Sequence, residues 1–481
     1  MMTSVFLGID LGTSGLKLAL VDADSGSITA ETDVSYTVDC PAPGHAETDP
    51  KQWRKAFDEA IEKLSPLPII RAIGFAGQMH GIVVCDNDGN PLRSAILWPD
   101  QRADNVLQKW CELSDKVKSE LANPLVAGMA GPTLTWLSEH EPEIMSKAAY
   151  IASPKDWLRR TMTGDCKTER TDASSSLLYN VCHEKWSQEA LTISGISEKQ
   201  LPTFAASAEV VGEWIGVPVV TGGGDTPCIL TTIEAICSNS HSLTNQLIIS
   251  IGTGIQVIKS NVSNHNDRPP VPYTQLMAST TAGQWHEMLA LKNGCLALDW
   301  AYTILGYQNY TQFLEAAIVR PVGSNGAVFV PFITGERGNI ASPTATGSWA
   351  RLTPSVTRDD MARAVFEAMA FSIRRSIEVM LSPGDNSIIE SLLVTGGGAR
   401  SPWLRQLVAD VTHYDLKYVE LRSASAVGAA LLAARGIGES FVPQASVTKT
   451  TSRPSSELDI AYDNWLIVCD QLDPDYIAPN E

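Results

Sequence analysis

At 481 residues the chain is too long for one hydrophobic core, so its length predicts two large domains. Its formal net charge of -18 argues against nucleic acid or anionic membranes as main partners, because both favour basic surfaces. Hydrophobic residues make up 44% and charged residues 19% of the chain, as in ordinary globular proteins.

The cysteines and the apolar segments indicate a cytoplasmic protein. Nine cysteines are scattered without Cys-x-x-Cys pairs, which argues against a disulfide framework or a zinc site and fits a reducing compartment. No run of 18 apolar residues occurs, so no membrane-spanning helix is expected. The N-terminal apolar run is interrupted by Asp10 and Lys17, unlike a signal peptide.

Residues 6–22 have the pattern of a β-hairpin, with an apolar run, a small polar turn and a second apolar run. We name its turn the first clasp; it consists of Gly12, Thr13, Ser14 and Gly15. Its N–H groups and hydroxyls could surround phosphate oxygens, because the glycines add no bulk. Asp10 is placed to hold Mg²⁺ through water, and Lys17 adds positive charge or points to solvent. The alternative is a plain hairpin.

The same pattern returns at residues 247–258, with Gly252 and Thr253 in the turn, which we name the second clasp (residues 252–254). The two clasps are about half the chain length apart, which suggests a duplication with one clasp in each half. Two unrelated hairpins are the alternative. Neither a Walker loop nor Gly-x-Gly-x-x-Gly occurs, so a nucleotide must be held in another way.

Two segments, 219–225 and 393–399, share a strand, three glycines and a following helix. The first ends in Asp225, a carboxylate in a glycine turn, which predicts chemistry rather than a helix cap. In the second, the turn is suited to the close approach of a nucleotide, and its predicted contacts are Gly397, Gly398 and Ala399.

A third predicted strand, residues 73–77, leads into side chains that are held between glycines: Gln78, Met79 and His80. Ligand contact is the hypothesis here, and a structural histidine is the alternative. Asp100 and Arg102 follow a short strand at 95–97, either as an ion pair that braces this region or as direct ligand contacts.

Helices are predicted to open near Asp49, Pro154 and Ser401 and to span residues 360–380. The tail is predicted to be a polar loop from residue 441 to Pro454, until the apolar run at 465–468.

Taken together, these motifs resemble the FGGY carbohydrate kinases over about residues 5 to 435, and within that family the xylulokinases. The segments that carry the resemblance are 10–14, 77–81, 98–102, 222–225, 335–337 and 396–399. The resemblance implies an α/β fold of two ribonuclease-H-like lobes (hexokinase–actin) with an interlobe cleft. The implied domains are a sugar-binding lobe at 1–237, a nucleotide-binding lobe at 238–440 and a C-terminal tail at 441–481.

The family resemblance further implies ATP and Mg²⁺ as cofactors and transfer of a phosphoryl group to the terminal hydroxyl of a ketopentose, D-xylulose before D-ribulose or another sugar. It implies Asp225 as general base, with Asp10 and Asp225 near the metal. Met79 and His80 match residues that contact the sugar, so the segment 78–80 is the implied sugar loop, and Thr13 and Thr253 match the phosphate-contacting threonines. The partners are a sugar and ATP, and a homodimer stays open because many relatives form dimers.

Two other classes of function compete with a sugar kinase. An actin-like ATPase would use nucleotide-driven shape change, and an inactive relative would only sense sugars. The polar loop at 78–80 and the carboxylate of Asp225 favour the kinase. The sequence departs from the family pattern in four ways: Gly254 replaces a serine, Arg351 replaces a glycine, the stretch before Val217 is shorter, and residues 422–426 lack an acidic side chain.

Overall fold

A computed structural model describes residues 4–237, 246–262, 266, 268–270, 272–336, 340–342, 344–381 and 389–473. The chain forms two compact units that are interleaved along the sequence. The first unit contains residues 1–242, 261–286 and 422–444, and the second contains residues 243–260, 287–421 and 445–481. The predicted domains are continuous segments, and their boundaries stay a prediction; residues 238–245, where two of them meet, lie outside the described residues.

The strands of the described chain are β1 (Ser4–Leu11), β2 (Gly15–Asp22), β3 (Ile28–Ser35), β4 (Glu47–Thr48), β5 (Ile69–Gly77), β6 (Val83–Cys85), β7 (Ala95–Ile96), β8 (Tyr150–Ala152), β9 (Lys167–Thr168), β10 (Tyr179–Asn180), β11 (Lys185–Trp186), β12 (Thr203–Phe204), β13 (Val210–Trp214), β14 (Val217–Val220), β15 (Gly223–Gly224), β16 (Gln246–Ile251), β17 (Ile255–Ser260), β18 (Gln275–Ala278), β19 (Trp285–Leu291), β20 (Val328–Val330), β21 (Ser348–Ala350), β22 (Ser391–Thr395), β23 (Leu416–Glu420) and β24 (Ser446–Thr450).

Its α-helices are α1 (Pro50–Lys63), α2 (Leu107–Cys111), α3 (Asp115–Leu121), α4 (Ala130–His140), α5 (Pro142–Met145), α6 (Pro154–Thr163), α7 (Arg170–Ser174), α8 (Gln188–Ser194), α9 (Asp225–Cys237), α10 (Cys295–Ile304), α11 (Tyr310–Ile318), α12 (Arg358–Met380), α13 (Pro402–Thr412), α14 (Ala424–Gly436) and α15 (Ser456–Leu472).

The first unit is built on a sheet in the order β13-β14-β5-β1-β2-β3, with β15 also paired to β5. The hairpin of β1 and β2 is antiparallel, whereas β1, β14 and β15 all run parallel to β5. Both faces of β1 are buried. Leu7 and Ile9 belong to the same cluster as Trp53 and Phe57 of α1, while Phe6 belongs to a cluster with α14.

The second unit repeats this topology. Its strands lie in the order β19-β17-β16-β22-β23-β24. Along β17-β16-β22-β23-β24 the four neighbouring pairs are antiparallel, parallel, parallel and antiparallel. Along β2-β1-β5-β14-β13 of the first unit the four pairs have the same orientations in the same order. Both predicted hairpins are therefore confirmed, and the shared strand order supports the predicted duplication.

Helix α14 lies unusually close to the sheet of the first unit. A Cβ atom at Gly8 would be 1.8 Å from the carbonyl oxygen of Ala426, and one at Gly74 would be 1.9 Å from that of Ala429. Glycine is required at both positions because any side chain would overlap the helix backbone. This contact brings the start of α14 to β1, where Asp10 lies.

The predicted helices are confirmed at their capped starts: Asp49 and Ser401 accept backbone N–H bonds at the N-termini of α1 and α13. The loop predicted for the tail is wrong, because β24 pairs with β23 and α15 begins at Ser456. Four of the five residues of β24 are exposed and most are polar, so the strand has no hydrophobic signal. None of the described helices is long and apolar enough to span a membrane.

Candidate active site

In the first unit, three neighbouring strands end at the same edge of the sheet. Leu11 of β1 lies opposite Gly77 of β5, and Gly77 lies opposite Gly224 of β15. The first clasp directly follows β1, the loop at 78–80 follows β5, and Asp225 follows β15. The structure therefore brings together the predicted first-clasp, sugar-loop and base residues.

The backbone of the first clasp is fixed by hydrogen bonds from two neighbouring side chains. The carbonyl oxygen of Gly12 accepts hydrogen bonds from Tyr36 Oη at 2.5 Å and from Gln78 Nε2 at 3.1 Å. Thr13 Oγ1 accepts a 2.9 Å bond from the indole N–H of Trp98, and Ser14 is exposed. Since the indole uses only a lone pair of Thr13, the hydroxyl keeps its proton to donate to a phosphate oxygen.

Asp10 has one engaged and one unengaged carboxylate oxygen. Its Oδ2 accepts a hydrogen bond from Ser425 of α14. Its Oδ1 is buried and has no hydrogen-bond partner among the described residues. Burial raises the pKa of Asp10, while the Ser425 hydroxyl and Lys17, directly opposite it on β2, act in the other direction.

An unengaged, buried carboxylate oxygen fits a hard cation such as Mg²⁺, which takes oxygen ligands. The described residues contain no group of three or more His, Cys, Asp or Glu side chains that could hold a metal by themselves. Mg²⁺ usually binds one or two carboxylates and completes its octahedron with water and substrate phosphates, and Asp10 offers one such carboxylate oxygen.

Asp225 is the first residue of α9, and its Oδ1 accepts a 2.6 Å bond from the N–H of Thr226. The turn before it lies against β5, since a Cβ at Gly222 would be 2.1 Å from the carbonyl oxygen of Phe75. Burial raises the pKa of Asp225 to about 7, and the negative charge of Asp10 adds to the effect. A carboxylate whose pKa is close to neutrality is suited to accept a proton.

The loop at 78–80 presents three different polar or polarizable groups. Met79 lies against the glycine turn, because a Cβ at Gly224 would be 2.6 Å from its sulfur atom. His80 has a left-handed φ of 70°, and its Nδ1 lies 2.6 Å from the carbonyl oxygen of Ser175, so Nδ1 carries the proton. The Oε1 atom of Gln78 is buried without a hydrogen-bond partner in the described structure, so it can accept a hydrogen bond from a ligand hydroxyl.

Asp100 and Arg102 form a buried, bidentate ion pair with both N···O distances at 2.8 Å. Asp100 Oδ2 also accepts the N–H of Ala46, and Arg102 reaches Glu47 at 2.6 Å. These contacts occupy both side chains and support the bracing interpretation. Trp98, which lies in the same segment, is 40% exposed and remains in contact with the first clasp.

In the second unit, the second clasp and the turn at 396–399 follow the adjacent parallel strands β16 and β22, where Ser250 lies opposite Thr395. The carbonyl oxygens of Gly252 and Thr253 accept N–H bonds from the start of α10 at 2.9 and 3.0 Å. A Cβ at Gly254 would be 2.3 Å from the carbonyl oxygen of Leu291. This close packing explains the glycine at the position where the family pattern has serine.

The three predicted nucleotide contacts at the second glycine turn have different surroundings. A Cβ atom at Gly397 would have no neighbouring atom within 4 Å, so there is open space at this position. Gly398 packs against Ile251, whose Cγ2 would be 2.4 Å from a Cβ there, and Ala399 is fully buried in the core. Only backbone atoms of Gly398 and Ala399 are thus left for a ligand.

Several side chains at these sites were not predicted from the sequence, among them Tyr36, Ser425, Lys155 and Thr171. The one available signal was a pair of charges, Lys155 and Asp156, in the first turn of a helix whose apolar residues face the core. Glu336, in the segment 335–337 that carries part of the family resemblance, accepts the N–H groups of Lys292 and Asn293. Arg337 of the same segment lies outside the described residues.

Comparison with known proteins identifies the family. Residues 5–232 match the N-terminal domain, and residues 247–437 the C-terminal domain, of the FGGY family of carbohydrate kinases. The chain is 31% identical to a xylulose kinase of Escherichia coli (strain K12), with 90% of this chain and 89% of the relative covered. It is 25% identical to a gluconokinase of Bacillus subtilis (strain 168), with coverage of 91% and 88%.

A solved structure of ligand-bound xylulose kinase from Lactobacillus acidophilus superposes with a TM-score of 0.87 at 23% identity, covering 97% of both chains. That likeness concerns the fold, and it confirms the predicted two-lobed α/β class. The family models span most of the sequence and include the strand ends that carry the clasps and Asp225. The chain is therefore a member of the FGGY family of carbohydrate kinases.

Proposed function

We propose that this kinase transfers the γ-phosphoryl group of ATP to the C5 hydroxyl of D-xylulose, giving D-xylulose 5-phosphate and ADP. The observation that carries the proposal is the adjacency of Asp225 and the loop at 78–80 at the ends of β15 and β5. A base with a raised pKa thus stands beside side chains that suit a short polyol. The E. coli relative at 31% identity is a xylulose kinase.

In this proposal Asp225 accepts the proton of the C5 hydroxyl while that oxygen bonds to the γ-phosphorus and the bond to the ADP oxygen breaks. A pKa of about 7 keeps Asp225 ionised in mildly alkaline solution and able to take the proton late in a loose transition state. The protein's remaining task is alignment and charge neutralisation.

Asp10 and Asp225 would hold Mg²⁺, and the unengaged Oδ1 of Asp10 supports this assignment. The ion would neutralise phosphate charge. The first clasp would bind phosphate oxygens through Gly12, Thr13 and Ser14, with Lys17 adding positive charge. The second unit would contribute its own nucleotide contacts, which are Gly252, Thr253, Gly397, Gly398 and Ala399.

The sugar loop favours a neutral ketose. The thioether of Met79 can pack on the carbon chain, while Gln78 and His80 offer hydrogen bonds to hydroxyls. Gluconate, the substrate in the name of a more distant relative, carries a carboxylate, and the loop from Gly77 to Gly81 contains no Lys or Arg to pair with it. D-ribulose differs from D-xylulose at one stereocentre, a difference of roughly 1–3 kcal/mol if one hydrogen bond is lost.

An ADP-release assay with D-xylulose, D-ribulose, L-ribulose, glycerol and gluconate tests the proposal. We expect kcat/KM to be highest for D-xylulose, by about tenfold or more, which is the effect of one misplaced hydrogen bond. A preference for another sugar would overturn the substrate and leave the kinase activity intact. ADP release at an equal rate without any sugar would instead support the actin-like ATPase.

A further inference from the structure

Six ionisable side chains form a buried charge cluster in the first unit: Lys155, Asp156, Arg159, Asp165, Glu169 and Asp172. None of these side chains is more than 7% exposed. Buried ion pairs are weak evidence for stability, because well-packed apolar side chains often serve as well. The contacts of the cluster point to another role, since they reach both ends of the turn at 221–225 that carries Asp225.

Arg159 holds the first end of this turn. Its Nη1 donates to the carbonyl oxygen of Thr221 at 2.7 Å and to Asp156 Oδ1 at 2.5 Å. Its Nε and Nη2 donate to the two carboxylate oxygens of Asp165 at 3.0 and 2.9 Å. The planar guanidinium is therefore locked from two sides, and the position of the Thr221 carbonyl is fixed with it.

Thr171 holds the other end. The N–H of Gly224 donates to Thr171 Oγ1 at 2.8 Å, and this hydroxyl donates to Glu169 Oε1, also at 2.8 Å. Glu169 Oε1 in turn lies 3.2 Å from Lys155 Nζ. The direction of the first bond is unambiguous, because an amide N–H only donates, and the Thr171 hydroxyl is then left to donate its own proton to Glu169 Oε1.

The turn consists largely of glycine, and its other anchors are backbone contacts. The N–H of Gly222 donates to the carbonyl of Ser207 at 2.9 Å, and Gly223 and Gly224 pair with β5. Because glycine has the most flexible backbone of any residue, the bond from the Gly224 amide to Thr171 adds a fixed point directly before Asp225. Gly224 directly precedes Asp225, so a shift of its amide moves the carboxylate. A displacement of about 1 Å can lower a rate by about 10²-fold.

We propose that Thr171 and Glu169 are positioning residues, which fix the Gly224 amide and so hold Asp225 in line with the acceptor hydroxyl. The inference rests on the proposed role of Asp225 as the base. Neither side chain needs to touch the sugar or the nucleotide for this role.

The test compares Thr171→Val, which keeps the side-chain shape and removes the hydroxyl, with Thr171→Ser, which keeps the hydroxyl. We expect the valine variant to lose about 10- to 100-fold in kcat, with KM for sugar and ATP within about threefold of wild type. The serine variant should restore kcat to within about threefold, since it can make the same two bonds. A buried threonine of the second unit serves as control. The hydroxyl of Thr412 in α13 donates to the carbonyl of Val408 at 2.7 Å, so Thr412→Val should retain wild-type kcat.

Repeating Thr171→Val in an Asp225→Asn background separates the possible outcomes. If Thr171 acts through Asp225, the second change should lower the residual kcat by less than about twofold, because residues that act as a unit are not additive. An equal loss in both backgrounds, or a loss confined to KM, would overturn the positioning role. Full activity of Thr171→Val beside an inactive Asp225→Asn would overturn it too, while full activity of Asp225→Asn would refute the proposed base itself.

Discussion

Lys155 is the residue whose removal should affect stability most clearly. Its Nζ lies 2.8 Å from Asp156, 3.2 Å from Glu169 and 3.0 Å from Asp172, and the lysine side chain has no exposed surface. In Lys155→Met the carboxylates stay buried and lose a shared counter-ion. Removing one partner of a buried ion pair lowers the free energy of unfolding by about 3–5 kcal/mol, and we expect a loss of that size.

The expected loss depends on pH in a defined direction. With Lys155 present, the pKa of Asp156 is lowered to about 2, although burial opposes this, and burial raises that of Asp172 to about 6. Without the lysine both pKa values rise. A native-state pKa above the unfolded value lowers stability as pH rises through that range, so the deficit should be largest at pH 8 and should shrink toward pH 5.

Urea denaturation at pH 8 and pH 5 measures both effects. Lys109→Met is the matched control, because Lys109 is 51% exposed and pairs with Glu139 on the surface. Such surface pairs contribute about 0–1 kcal/mol, so the control should stay within that range at both pH values. A loss below about 1 kcal/mol in Lys155→Met at pH 8 would contradict the reasoning, since it would fall within the range of a surface pair. So would a deficit that grows on acidification.

Three further changes test the site and the packing around it. Asp225→Asn should lower kcat by at least about 10²-fold while sugar and ATP binding stay nearly unchanged, and calorimetric titration with both ligands would reveal a binding defect instead. Gly8→Ala should prevent α14 from packing, because its Cβ would overlap the carbonyl of Ala426; a melting temperature equal to that of wild type would contradict this. Gly254→Ser restores the family's residue but places a Cβ 2.3 Å from the Leu291 carbonyl, so we expect about 1–3 kcal/mol of destabilisation rather than tighter ATP binding.

The parts of the site that could be predicted are those encoded by local sequence patterns. Glycine turns at the ends of apolar runs predicted the hairpins, the strand ends and the carboxylate of Asp225, because each signal lies within a few residues. The contact of Ser425 with Asp10 joins residues on α14 and β1, more than 400 positions apart, and no local spacing encodes it. The bond from Gly224 to Thr171 was likewise beyond prediction, since a threonine in a short helix has no distinguishing neighbours.

The strand in the tail was missed for a different reason. An edge strand such as β24 is held by main-chain bonds to β23, and its side chains face solvent, so hydrophobic periodicity does not mark it. The core position of Ala399 also depends on how closely Ile251 approaches the glycine turn, which is a property of the packed strands rather than of the segment.

The interleaving of the two units has a consequence for synthesis on the ribosome. The sheet of the first unit is encoded within residues 4–224, but α14, which covers Phe6 and Ala72, emerges roughly 200 residues later. At translation rates of about 5–20 residues per second, the apolar sheet face that contains Phe6 and Ala72 stays uncovered for about 10–40 s before α14 is synthesised. The nascent chain therefore offers a binding surface to chaperones throughout that interval, and a chain that ends before residue 422 would never bury it.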